Sequence, residues 1–246
     1  MGGAAARTAA LLALLLALAA HPAAAQEITL DLGGGSLTGR VVQLFILITL
    51  LSLAPGLAIM ITCFPFMVTT LSILRQAIGV QQAPPNMMIV SLALFLTYFV
   101  IEPVFLEAWE NGVRPLLDGA VSEEEGVARA FAPFRAFMEG RVDPEVLTLL
   151  ADAVPGREAV GDDGRAPISL LIPSFLISEI QRGFEIGFLI FLPFLIIDLV
   201  IASVLMSMGM MMVPPAVVAL PFKLAFFVVA DGWSLLAGAL VRGYAQ

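Results

Sequence analysis

Six charged side chains stand inside otherwise apolar sequence: Glu179, Arg182, Glu185, Asp198, Lys223 and Asp231. A charge at bilayer depth costs about 3 kcal/mol or more, so each needs a partner or an aqueous wall. Glu179 and Arg182 lie three residues apart, share one helical face and can pair with each other. Lys223 is the only lysine in the chain, and no acid lies three or four residues from it. Its partner must come from another element or another subunit, with Glu179 the first candidate and Asp198 the second. An intrachain bond between helices and an intersubunit bridge both fit the spacing.

The segment VLMSMGMMMVPP places Met206, Met208, Met210, Met211 and Met212 within seven residues. Methionine is unbranched, flexible and polarizable, and it repacks without a fixed geometry. Gly209 and the Pro214–Pro215 pair put the last three on a turn and not on a helix face. Arranged around a pore, such side chains would exclude water and ions by dewetting and still yield to a passing polypeptide. The competing reading is plain core filling or lipid contact. Gly183 and Gly187 form a GxxxG spacing that permits close helix approach, although chance or a kink explains such a spacing as readily.

Other chemistries are argued against by what the chain lacks. Cys63 is the single cysteine, so one chain cannot build a disulfide framework or a cysteine-based metal site. His21 is the single histidine, and it falls in a segment expected to be removed. A mature chain without imidazole holds no Ser–His–Asp triad and no ordinary zinc site. No P-loop occurs, so energy for any transport must come from a partner. The chain reads as a non-enzyme with no cofactor and no metal.

The elements that must position these residues follow from composition. Of 246 residues 60% are hydrophobic and 13% charged, and the mean hydropathy is +0.99. Continuous apolar blocks without period-two alternation give an all-α membrane-associated fold. The charge is segregated. Residues 102–165 carry fourteen acids against six arginines, which accounts for the whole net charge of −8. No basic patch exists to displace counterions from phosphates, so nucleic acid is not an expected partner.

Residues 1–25 have a single Arg7, an apolar stretch and an A-x-A pattern, which predicts a secretory signal peptide cut after Ala25. Residues 26–40, with Gly33, Gly34, Gly35 and Gly39 among polar residues, read as a flexible lead-in. Residues 41–101 form helical hairpin one, broken near Pro55 and Pro65 and turned at Pro84–Pro85. Residues 102–167 form an acidic helical domain, whose charge suits the periplasmic side. Residues 168–246 form hairpin two, with a long broken helix, the Pro214–Pro215 corner and one return helix over 216–241.

The runs RQAIGVQQAPPN, LALFLTYFV, FLPFLIIDLVIASVLMSMGMMMVPP and LPFKLAFFVVADGW resemble the FliP family of the flagellar type III export apparatus. The resemblance covers Val41 to Ile101 and Ile168 to Trp233. It implies a homopentamer that joins FliQ-like and FliR-like subunits in an export gate, a right-handed helical cone within the basal body. It implies that the hairpins can sit on the periplasmic side of the inner membrane, packed in an oligomeric ring. Met210, Met211 and Met212 then correspond to the family's methionine gasket, and exported polypeptides and other export-apparatus proteins are partners. A virulence type III secretion homologue has the same fold and is the nearest alternative. An ion-coupled transporter using Asp198 and Lys223 is an alternative of a different class.

Overall fold

The computed structural model describes residues 37–80, 84–154, 159–161, 164–210 and 212–244. The predicted signal peptide and Met211 lie outside the described residues. All regular structure among the described residues is helical. The chain divides into two units at Leu50. Up to that point the described part is the first half of helix α1 (Leu37–Met60), whose residues from Val41 onward are exposed and mostly apolar. Thr49 donates to the carbonyl of Phe45 at 2.7 Å, which satisfies its hydroxyl without a partner outside the helix.

The second unit begins with the end of α1. Pro55 lies inside α1 with no break, whereas the break expected near Pro65 is present at residues 61–63. Helix α2 (Phe64–Ile78) starts with Pro65 in its first turn, where a missing N–H costs nothing. It ends at Gly79, which has φ 85° and donates to the carbonyl of Arg75 at 3.3 Å. Helix α3 (Asn86–Ala108) follows Pro85 and continues through a π-helical turn at Trp109–Val113 into α4 (Arg114–Leu117). The hairpin boundary expected at Ile101 is therefore not a helix end. Glu102 is solvent-exposed and carries no burial penalty, and Pro103 is absorbed within the helix.

The acidic segment forms α5 (Glu123–Glu139) and α6 (Pro144–Asp152). Ser122 accepts from the Glu125 amide, and Glu123, Glu124 and Glu125 occupy the positive end of the α5 dipole. Asp143 caps α6 by accepting from the Glu145 amide at 2.8 Å.

Helix α7 (Ile168–Ser207) is 40 residues long and unbroken, with Pro173 and Pro193 inside it. The long limb of hairpin two is thus continuous, contrary to the expectation of a broken helix. The break lies in the return limb, between α8 (Pro215–Val229) and α9 (Gly232–Arg242), which meet at 62°. Asp231 makes that corner with φ 49°, a left-handed conformation that aspartate tolerates better than most residues.

Helix α2 is the hub. Phe66, Met67, Leu71 and Leu74 are buried against Ile89 and Leu96 of α3, Phe194 of α7, Phe227 of α8 and Leu240 of α9. A smaller cluster of Met138, Leu171 and Phe175 ties the acidic segment to the start of α7. Three helical stretches, Val41–Met60, Asn86–Leu117 and Ile168–Ser207, are long and apolar enough to cross a membrane, and the α8–α9 pair makes a bent fourth.

Candidate gate turn and buried charge clusters

The methionine turn is built by a glycine-ended helix. Met208 closes α7, Gly209 follows with φ 76°, and Met210 donates back to the carbonyl of Leu205 at 3.0 Å. Gly209 donates to the carbonyl of Met206 at 3.0 Å. These paired bonds are the Schellman arrangement, which needs a residue free to adopt positive φ. Pro214 then fixes an extended residue before α8. None of the four described methionines is buried: Met206, Met208 and Met212 are 61%, 66% and 96% exposed, and Met210 is 37% exposed. Within one chain they fill no core. They form an apolar, uncharged protrusion available to other chains or to a lumen.

Lys223 is buried and projects from α8 to the C-terminal end of α2. Its Nζ lies 2.6 Å from Asp198 Oδ2 on α7 and donates to the Ala77 carbonyl at 2.9 Å. The ammonium therefore joins three helices and answers both a carboxylate and the negative end of the α2 dipole. Asp198 Oδ1 is enclosed with no hydrogen-bond partner among the described residues. Glu179, the first candidate for Lys223, is engaged elsewhere. Both acids lie on α7, but they are 19 residues apart, and only Asp198 comes level with Lys223.

Glu179 is fully buried. Arg182 reaches its Oε1 at 3.4 Å, as the three-residue spacing predicts, and Arg141 from the end of α5 reaches the same oxygen at 3.3 Å. The Tyr244 hydroxyl donates to Oε2. Arg141 also donates to the Gly243 carbonyl at 3.0 Å and lies 3.7 Å over the Tyr244 ring. The chain's last described residues are thus bound to the acidic segment and to α7. Spacing along the sequence signals neither Arg141 nor Tyr244.

Gly183 and Gly187 face α2. A Cβ on Gly183 would stand 3.0 Å from Thr69 Cβ, and one on Gly187 3.0 Å from Ile73 Cβ. The GxxxG pair here packs two helices of one chain, and Thr70 donates to the Gly183 carbonyl at 3.4 Å across that contact. Glu185 is held by Gln181 at 3.3 Å, and Asp231 accepts from Ser234 at 3.0 Å, so both are engaged near their own positions. Pro85 and Pro214 cap the starts of α3 and α8, with Pro84 before the first and Pro215 opening the second. Among the described residues no three His, Cys, Asp or Glu side chains group as a metal site would require.

Residues 47–240 match the model of the FliP family. A flagellar biosynthetic protein FliP from Caulobacter vibrioides is 49% identical, over 97% of this chain and 91% of its own length. The Agrobacterium fabrum protein of that name is 47% identical over 85% of this chain and 86% of its own. The Bacillus subtilis protein is 42% identical, over 82% and 91%. An all-helical chain, rich in apolar helices, that matches at this level over nearly its whole length belongs to the FliP family.

Proposed function

We propose that this protein is a core subunit of the flagellar type III protein export gate and that its methionine turn seals the pore. The observation that carries this is the conjunction of family membership with an uncharged turn whose described large side chains, Met208, Met210, Met212 and Val213, are exposed and fill no core. Relatives named for flagellar biosynthesis support the flagellar reading over a virulence homologue. Three exposed apolar stretches and a bent fourth support a membrane location, with lipid or neighbouring subunits covering them. In this reading, several copies, five by family resemblance, assemble with FliQ-like and FliR-like subunits, and the Met210–Met212 turns converge on the axis.

The acidic segment lies on the periplasmic side, and residues 1–25 are cleaved as a signal peptide. N-terminal sequencing of the membrane-inserted protein begins at or near Gln26 if so, and intact Met1 overturns that part. The main test is genetic and biochemical together. Deleting the gene abolishes export of flagellar proteins, and the tagged full-length protein brings down FliQ-like and FliR-like subunits in fixed ratio. Normal export in the deletion strain refutes the assignment.

A further inference from the structure

A cavity of about 380 Å³ lies between α2, α7, α8 and α9. Its volume falls in the range of small-molecule pockets, about 300–1,000 Å³. Phe66, Leu74, Ile186, Ile190, Phe226 and Leu236 are among the residues that make its almost wholly apolar wall. The wall follows α7 from Ile186 to Phe194, which is about 12 Å of helix. Along α9 it runs from Gly232 to Leu240 and on to Gly243, so the space is elongated like a hydrocarbon chain.

One end of this cavity meets charge. On α7 the row Arg182, Ile186, Ile190, Phe194 is spaced by four residues, which puts Arg182 one turn beyond the wall on the same face. Gly243, also in the wall, accepts from Arg141. At that end two guanidiniums, Arg141 and Arg182, share the single carboxylate of Glu179, so these three side chains carry a formal charge of +1, while the nearby Asp143 carboxylate is turned to the Glu145 amide. Arg182 is the more loosely held, at 3.4 Å and with 36% of its side chain exposed. Glu185, the next acid on α7, is held by Gln181. A dry, elongated cavity that ends at an excess cation is complementary to an amphiphile with an anionic head.

We propose that the cavity holds one acyl chain of an anionic phospholipid whose phosphate is bound by Arg182. An apolar side chain from another polypeptide would fill the space but bring no anion to Arg182, whereas such a lipid supplies both.

Trp233 reports on the site, because its ring lies edge-on to Phe227, in the cavity wall, at 5.4 Å. The only other tryptophan, Trp109, is removed as Trp109→Phe. The full-length protein in detergent is titrated with phosphatidylglycerol or phosphatidylcholine carrying brominated acyl chains, and Trp233 quenching is followed. Quenching saturates at one lipid per chain, with phosphatidylglycerol bound roughly tenfold more tightly, because the choline ammonium of phosphatidylcholine offsets its phosphate at Arg182, a difference on the scale of one hydrogen bond to a charged group. Arg182→Gln keeps the quenching and removes the headgroup preference. Ala239→Phe, whose ring enters the cavity, abolishes saturable quenching by both lipids. Quenching that never saturates, or that survives Ala239→Phe unchanged, overturns the proposal, as does a headgroup preference that persists in Arg182→Gln. Saturable quenching of the single chain that vanishes in the assembled complex assigns the cavity to another polypeptide and overturns it too.

Discussion

Replacing Lys223 tests how the three-helix joint is held. In Lys223→Met the side chain keeps most of its apolar stem, but Asp198 Oδ2 and the Ala77 carbonyl lose their donor, and the enclosed Oδ1 has none to begin with. Removing one member of a buried pair costs about 3–5 kcal/mol, and that is the upper bound here, because the Asp198 side chain left behind is 32% exposed and only its Oδ1 is enclosed. For a chain of this length that corresponds to a fall of roughly 6–20 °C in the midpoint of thermal unfolding. Two controls identify the partner. Lys223→Met with Asp198→Leu removes the stranded charge and recovers most of the loss, since an apolar pair of similar volume is often as stable as the ion pair. The charge swap Lys223→Glu with Asp198→Lys recovers less, because a lysine on α7 no longer lies against the C-terminal end of α2, a contribution of about 0.3–1 kcal/mol. Lys223→Glu with Glu179→Lys recovers nothing and further disrupts Arg141, Arg182 and Tyr244. The assay is circular dichroism melting of the detergent-solubilised chain, with assembled-complex yield measured in parallel. A Lys223→Met midpoint within about 2 °C of wild type, less than 1 kcal/mol by the same scale, refutes the joint. Rescue of Lys223→Glu by Glu179→Lys and not by Asp198→Lys refutes the partner.

Changing Met210, Met211 and Met212 together to alanine leaves assembly intact, since the described methionines fill no core within the chain, and raises resting membrane conductance. Failed assembly, or an assembled complex with no leak, contradicts the seal. Gly187→Ala costs about 1–3 kcal/mol by overpacking against Ile73, and Ile73→Ala in the same chain recovers most of it; equal melting of Gly187→Ala and wild type contradicts the contact. Burial pushes the Cys63 thiol from its ordinary 9.0 up to about 12, so maleimide labels it at pH 8 only after unfolding. Because both states are protonated below pH 9, Cys63 makes no pH-dependent contribution there, and stability falls between about pH 9 and 12 as only the unfolded thiol ionises. Rapid labelling of the folded chain contradicts its burial.

The helical class and the place of the methionine turn were legible because their signals are local. An apolar block, a glycine after the last helical residue and a proline pair each act over a few residues. Pro55 misled, as did the expectation of a broken long limb in hairpin two, because composition does not report whether a helix carries through a proline, as α1 does at Pro55 and α7 does at Pro173 and Pro193. The corner at Asp231 was missed for the opposite reason: one aspartate in the left-handed region turns the chain with no proline at all. Arg141 and Tyr244 stand 38 and 65 residues from Glu179, and nothing in the spacing brings them together. Choosing between Asp198 and Glu179 for Lys223 needed the register of α7 against α8, which is a property of packing.

Helix α7 also has a mechanical side. Forty residues of continuous helix extend about 60 Å, twice the thickness of a bilayer's hydrocarbon layer. One end is anchored by the Met138–Leu171–Phe175 cluster, and the other ends at the methionine turn. Because α2 and α8 are bound to it at Gly183, Gly187 and Asp198, the rod moves only together with them, and a tilt of that body by about 5° about the anchored end carries the tip roughly 5 Å, close to one helical turn. Travel on that scale rivals the reach of a methionine side chain. If the turn lines a pore as proposed, a displacement of the acidic segment reaches it across some 60 Å of helix without any helix having to unfold.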